Sequence, residues 1–337
     1  MGMRVRRLGG IAAAVVATTT LVTACGGGGS AGGDGKIQLA LVAYSTPQAA
    51  FEDIIKAYQK TPEGKNITFT QSYGASGDQS RAVASGLKAD IVEFSLETDI
   101  TRLVDAGLVA PDWNQNATKG FLTKSIAVIG TRKGNPKGIK TWDDLIKPGT
   151  EVITPNPFTS GGARWNLLAG YGAKSGKGAD QAAGLDYVGK LLANVPVQDD
   201  SGRKSLQTFV GGKGDAIITY ENEAIFAQQN NQPIDYTVPD STILIENPVA
   251  VTKNSAHPKE AAAFLKYLYS SEAQTIFAKN GYRPVIDGVT GFTFPTPPQL
   301  FTINDLGGWP KVTKDFFDAK TGLVADIERK LGVATEK

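Results

Sequence analysis

The chain has 337 residues, 41% hydrophobic and 20% charged, an ordinary globular composition with enough apolar mass for a buried core and, at this length, for two domains. One cysteine and one histidine exclude an intramolecular disulfide, leave a zinc site short of ligands, and would commit the only copy of each to any Cys–His catalytic pair. A formal net charge of +2 carries no basic excess of the kind a nucleic-acid binder shows.

Residues 1–25 read MGMRVRRLGGIAAAVVATTTLVTAC. Arg4, Arg6 and Arg7 form a basic start, and an uncharged Ala/Val/Thr-rich run follows. The run is too short and small-sided for a membrane span, which needs ~20 strongly apolar residues. It fits an export signal over residues 1–24. Val22-Thr23-Ala24-Cys25 resembles the bacterial lipobox, in which the signal is cut before a cysteine whose thiol then carries lipid. Cys25 is the only cysteine in the chain, so lipidation also hides an otherwise exposed thiol. Residues 25–35 are glycine-rich and read as a flexible tether. Removing 24 residues from 337 leaves 313, and losing three arginines with no acid takes the charge from +2 to −1. An anion held by the mature chain is therefore held by local dipoles, not by bulk charge.

The body alternates β-like and helix-like runs. Residues 37–43 read as a strand. Residues 47–58 read as a helix with Phe51, Ile54, Ile55 and Tyr58 on one face. Strand 67–71, helix 78–87, strand 89–94 and helix 99–106 follow. Residues 125–131 read as a strand, and Thr141 to Asp144 as a capping box opening a short helix. Then come strand 152–154, helices 161–169 and 181–193, strand 216–220, and helices 258–269 and 271–279. No internal repeat is visible. Regular β/α alternation predicts an α/β fold with mainly parallel sheets flanked by helices and ligands at the carboxyl ends of strands. The apolar runs at 125–131 and 248–252 suit two crossover strands between sheets. Residues 36–125 with 250–337 then form lobe one, and 126–249 an inserted lobe two.

Four loops lead from strand-like into helix-like runs and are rich in Ser, Thr and Gly: 44–47 (YSTP), 72–78 (SYGASGD), 156–162 (NPFTSGG) and 200–203 (DSGR). The first turn of a helix has N–H groups without intrahelical partners, and the helix dipole adds partial positive charge there. Hydroxyls add donors, and glycine admits close approach. Several such ends aimed at one point hold a dianion without any cation. Charge-assisted bonds contribute ~1.5 to 3 kcal/mol each. Five to seven of them exceed the ~8 kcal/mol of micromolar binding, leaving room for desolvation and ordering costs. Taken singly, each loop is better read as an ordinary N-cap than as a ligand site.

ITPNPFTSGGARWN (153–166) closely resembles a signature of the sulfate-binding proteins of ABC importers. So do QSYGASGDQS (71–80), RKGNPKGIKTWDDLIKPG (132–149), YENEA (220–224) and LKYLYSSEAQTIFAKNGYRP (265–284). The similarity runs in family order from residue 37 to 309. It implies a two-lobed, type II periplasmic-binding-protein-like fold with two hinge crossovers, closing around one dehydrated sulfate. Carried over by position, the resemblance implies backbone N–H donors at Ser45 and Ser76, the Ser160 hydroxyl, and N–H groups at Gly161, Gly162 and Gly202. The family's last donor is a Trp indole; Tyr220 stands there, with a different reach. The resemblance further implies an ABC permease as partner, an extracytoplasmic site of action with the lipid anchor at Cys25 on the cell membrane, no cofactor, no catalysis and a monomer. Thiosulfate is the nearest rival ligand, followed by molybdate and phosphate.

An all-donor site favours sulfate, which only accepts, over phosphate, whose remaining proton needs an acceptor at a cost of ~1 to 3 kcal/mol. Asp78 stands where related binders have Lys. It reads as a first-turn acid favouring the helix dipole, and if turned inward it would accept that proton. An enzyme acting on sulfur or phosphoryl oxyanions, or a ligand-free surface lipoprotein, are the other classes. The first lacks a general base and the second leaves four donor-rich loops unused. His257 before Pro258 reads as a turn residue. Residues 174–178 (KSGKG) depart from a P-loop at both ends. Trp142, Trp165 and Trp309 read as packing, and Glu221 with Glu223 as helix-start carboxylates.

Overall fold

The alternation of apolar runs seen in the sequence becomes an alternation of strands and helices. A computed structural model describes residues 35–335. Cys25 and the signal segment lie outside the described residues. The first third is β1 (Ile37–Tyr44), α1 (Gln48–Tyr58), β2 (Ile67–Gly74), α2 (Ser76–Ala84), β3 (Ile91–Glu93) and α3 (Glu97–Asp105). The middle holds β4 (Phe121–Arg132), a 3-10 turn Trp142–Ile146, β5 (Val152–Ile153), α4 (Gly161–Lys174), α5 (Gln181–Ala193), α6 (Gly202–Val210), β6 (Ala216–Tyr220), α7 (Glu221–Gln229) and β7 (Ile234–Thr237). Then come β8 (Ser241–Val251), α8 (Pro258–Leu268), α9 (Ser271–Lys279), β9 (Gln299–Phe301), α10 (Gly308–Phe317) and α11 (Leu323–Lys330). The expected box at Thr141 forms, with both of its reciprocal bonds to Asp144.

Strand order is β2-β1-β3-β8-β4-β6-β5, with β7 beside β4 and β9 beside β8. β1 lies parallel between β2 and β3, and β5 is parallel to β6. The two long strands connect the halves, as the runs at 125–131 and 248–252 predict. β4 pairs with β8 through its first half and with β6 through its second. β8 continues past β4 to pair with β3.

Each half of the sheet is covered on both faces, the doubly wound solution. In β1, Leu39, Leu41 and Ala43 join one core with Phe51, Ile54, Phe264 and Phe277. Val42, on the other face, joins Val92, Phe94, Ile100 and Leu103, as the period of two requires. Across β4, Ile129 and Ile218 pack with Trp165, Leu168 and Leu191, and Ile153, Phe209 and Ile217 fill the opposite face. Among the described residues no helix is long and apolar enough to cross a membrane.

One expected boundary needs correction. α8 and α9 pack on the first half, as residues assigned to lobe one should. From Gln299 onward the chain leaves it. β9 pairs with the start of β8, and Trp309, Val312, Phe316, Phe317 and Val324 enter the core around Trp165 and Leu191. The spacing 309, 312, 316 puts one apolar face on α10, and that face finds its complement on the middle segment. Trp165 and Trp309 meet edge to face, with ring centroids 4.7 Å apart. Trp309→Ala is expected to lower unfolding free energy by ~3 to 5 kcal/mol, measured by urea titration. A loss under ~1 kcal/mol would show that the C-terminal stretch contributes little to this core.

Candidate functional site

Both halves turn strand ends toward helix N-termini at one place. β1 ends at Tyr44 and reaches α1 through Ser45-Thr46-Pro47. β2 ends at Gly74, and Ala75 caps α2, whose first residue is Ser76. That helix starts two residues before the expected 78, which puts the Ser76 N–H in its first turn. From the other half, Ser160 caps α4, which opens with Gly161 and Gly162. Ser201 caps α6, which opens with Gly202, and Tyr220 closes β6 and begins α7.

These ends enclose a small cavity, with about 20 Å³ open to the centre of a water-sized body; one water needs ~10 to 15 Å³ by that measure. Ser45, Ser76, Ser160, Gly162, Gly202 and Tyr220 all line it. Gly161 lies beside it, packed so closely on the first half that a Cβ there would come within 2.7 Å of Leu96 and 2.9 Å of Ser95. Glycine is therefore required at 161 by the approach of α4 to the loop after β3.

The N–H groups of Ser45, Ser76, Gly161, Gly162 and Gly202 donate to no backbone acceptor among the described residues. Neighbouring donors are spent: Gly77 N–H on Thr159 O at 3.1 Å, Ala163 N–H on Ser160 Oγ at 3.3 Å, and Lys204 N–H on Ser201 Oγ at 3.4 Å. Ser160 Oγ accepts in that bond, which leaves its own hydrogen to donate. The Ser76 hydroxyl is committed, donating to Asp99 Oδ2 at 2.6 Å and accepting from Ser95 N–H at 2.9 Å. What Ser76 offers the cavity is its N–H.

Among the described residues no Lys, Arg or His lines the cavity, and the one acid among them, Glu223, is held by Arg203 at 2.7 and 2.9 Å. Glu221 is likewise buried and paired with Arg283 at 2.8 Å. These two carboxylates are thus buried ion-pair members, not the ordinary helix-start acids expected of them. Asp78 pairs with Arg81 on the surface of α2, lines an outer groove and is not part of the cavity wall. Trp165 donates its indole N–H to Ser95 O at 2.9 Å, so this packing residue also fixes the loop after β3.

Three lining residues lie outside the four marked loops and carry no sequence signal of their own: Ser95, Asn166 and Thr219. Ser95 has the most consequence. Its hydroxyl and that of Tyr220 lie 2.6 Å apart, across the two halves of the sheet. The 94–97 stretch has the same strand-to-helix position as the four marked loops but carries no glycine. Burial raises the Tyr220 hydroxyl above the ordinary phenol range, so it remains a protonated group.

Behind the cavity, Glu93 sits in register between Ala43 and Val249. It is fully buried, and neither carboxyl oxygen has a hydrogen-bond partner among the described residues. Burial pushes its carboxyl well above the ordinary value of 4.5, so the folded state keeps the proton. In the unfolded chain the group ionises as pH rises past about 4.5. The folded state then loses stability from that pH upward to the raised folded value. Glu93→Gln is expected to gain melting temperature over the wild type at pH 8 and to gain less at pH 4. A difference independent of pH would refute the neutral carboxyl.

The family of bacterial extracellular solute-binding proteins matches residues 39–283. A sulfate-binding protein of Synechococcus elongatus is 42% identical over 299 residues, 85% of each chain. A thiosulfate-binding protein of Pseudomonas aeruginosa is 36% identical over 293 residues, 82% of this chain and 88% of that one. A solved structure, the sulfate-binding protein SubI of Mycobacterium tuberculosis, superposes with a TM-score of 0.81 at 45% identity, over 83% of this chain and 99% of that one.

Proposed function

The chain belongs to the bacterial extracellular solute-binding proteins, and from that membership we propose that it binds sulfate outside the cytoplasmic membrane and hands it to an ABC permease. The observation that carries the reading is the set of five backbone N–H groups without protein acceptors, gathered around one small cavity. The Ser160 hydroxyl and the Tyr220 hydroxyl add to the set. An acceptor-only dianion of the size of sulfate satisfies all of them at once, and N–H groups buried without partners are costly. The absence of a lining cation fits a site that works through helix ends and fixed dipoles. The names of the relatives support the ligand. The protein's role is binding and release without turnover.

Thiosulfate is the second reading. A relative bears that name, and Tyr220 in place of an indole changes the reach of one donor. Phosphate is disfavoured because Asp78 is turned to Arg81 and leaves its proton without that acceptor. Closure is a hinge motion about β4 and β8, the strands that join the halves. Cys25 carries lipid after signal cleavage and tethers the domain to the outer face of the membrane.

One millimolar sulfate is expected to raise the melting temperature by several degrees. At a thousandfold excess over the dissociation constant the linkage is ~4.1 kcal/mol. Equal phosphate is expected to leave it unchanged, and no shift with sulfate, thiosulfate or molybdate defeats the assignment. Labelled palmitate fed to producing cells is expected to enter the wild-type chain and not Cys25→Ser. Label retained by the variant would overturn the anchor.

A further inference from the structure

Ser95 and Tyr220 hold two hydroxyl hydrogens, and one bond joins them at 2.6 Å. The Tyr220 oxygen also meets the Asn247 side chain, whose Oδ1 already accepts from Tyr44 and Thr123 and whose Nδ2 is a donor. Ser95 Oγ has no further hydrogen-bond partner among the described residues, so one hydroxyl hydrogen is left over. Both groups line the cavity and both are buried, Ser95 at 0% and Tyr220 at 3% exposure. The Ser95 main chain is held on both sides. Its N–H is fixed on Ser76 Oγ, and its carbonyl accepts from Trp165 Nε1 at 2.9 Å and Asn247 Nδ2 at 3.3 Å. Tyr220 faces Gly162, as Ser95 faces Gly161: an atom placed on the Gly162 Cα would lie 3.7 Å from the Tyr220 hydroxyl oxygen and 3.4 Å from Ser160 Oγ.

We propose that Ser95 is a specificity-determining positioning residue, whose hydroxyl donates to the Tyr220 oxygen and so aims the Tyr220 O–H at a bound tetrahedral dianion. The reading rests on the sulfate assignment above. A free phenol O–H has two in-plane directions. A donor behind its oxygen removes one of them and strengthens the onward bond by polarisation. The two residues come from opposite halves of the sheet, β3's loop and the end of β6, so the last donor is aimed only when the halves are together. An oxygen at that corner of the guest is rewarded and the softer terminal sulfur of thiosulfate is not, which makes the pair a selectivity element.

The test is calorimetry of sulfate and thiosulfate on wild type, Ser95→Ala, Tyr220→Phe and the double variant. Wild type is expected to bind sulfate. Each single change is expected to weaken sulfate by about tenfold, to weaken thiosulfate less, and so to move the thiosulfate-to-sulfate preference in the same direction. The double variant is expected to be no weaker than Tyr220→Phe within about twofold, the signature of coupled residues. Ser95→Cys keeps the shape with a weak donor, is expected to behave as Ser95→Ala, and stands in for it if that variant does not fold. Effects that multiply in the double variant, or a preference unchanged by the Ser95 variants, overturn the role of Ser95 alone. Wild type that binds no sulfate overturns both this role and the assignment it rests on.

Discussion

A backbone N–H shut away from water needs an acceptor, and the first turn of a helix cannot supply one from within. Three helices here, α2, α4 and α6, bring four such groups to a single cavity, and the loop before α1 adds a fifth donor. The N1 groups of all three and the N2 group of α4 remain unspent there, while the N3 groups of α4 and α6 are closed off by the serine caps Ser160 and Ser201. The caps therefore do two things. They stop each helix from fraying, and they confine the free donors to the residues at the cavity wall. The glycines at 161, 162 and 202 keep those donors uncovered.

Around this donor set the structure removes competing charge. Arg203 follows Gly202 immediately, yet its guanidinium turns to Glu223, to Thr46 O at 2.9 Å and over the Phe226 ring. Glu223 is thereby balanced where it meets the cavity, and Glu93 behind it is kept neutral by burial. Breaking a buried pair of this kind leaves an uncompensated charge, so the Arg203–Glu223 pair has an electrostatic consequence beyond packing. An acid left charged at that wall would repel any anion, and a cation would attract anions without regard to their protons. The neutral wall leaves discrimination to hydrogen-bond direction.

Much of this is legible in the chain. Helix 181–193 and strand 216–220 are found where their periodicity places them, and the loops rich in Ser and Gly do meet in space. The parts that escaped have physical reasons. α6 carries Gly, Arg, Lys and Gln among its nine residues, so its apolar face of Leu206 and Phe209 is too sparse to read. α10 shows a clear face, but its partner lies over a hundred residues earlier, and nothing local tells which half it will cover. Ser95 looks like any serine before a helix. What singles it out is Tyr220, 125 residues away, and pairing across a cleft has no sequence period.

The bonds that join the two halves add a last constraint. Gly77 N–H reaches Thr159 O, Arg203 reaches Thr46 O, Trp165 reaches Ser95 O, and Ser95 meets Tyr220. The first three use no donor that the cavity leaves free. The closed arrangement is thus supported by the protein's own contacts, and a guest needs to add only the difference between closed and open states. Three of these bonds are separate from the cavity donors, whereas the Ser95–Tyr220 bond belongs to both sets and couples closure to the choice of anion. Strengthening those three would favour the closed state without changing which anion fits, while altering the Ser95–Tyr220 bond changes both the latch and the choice of anion.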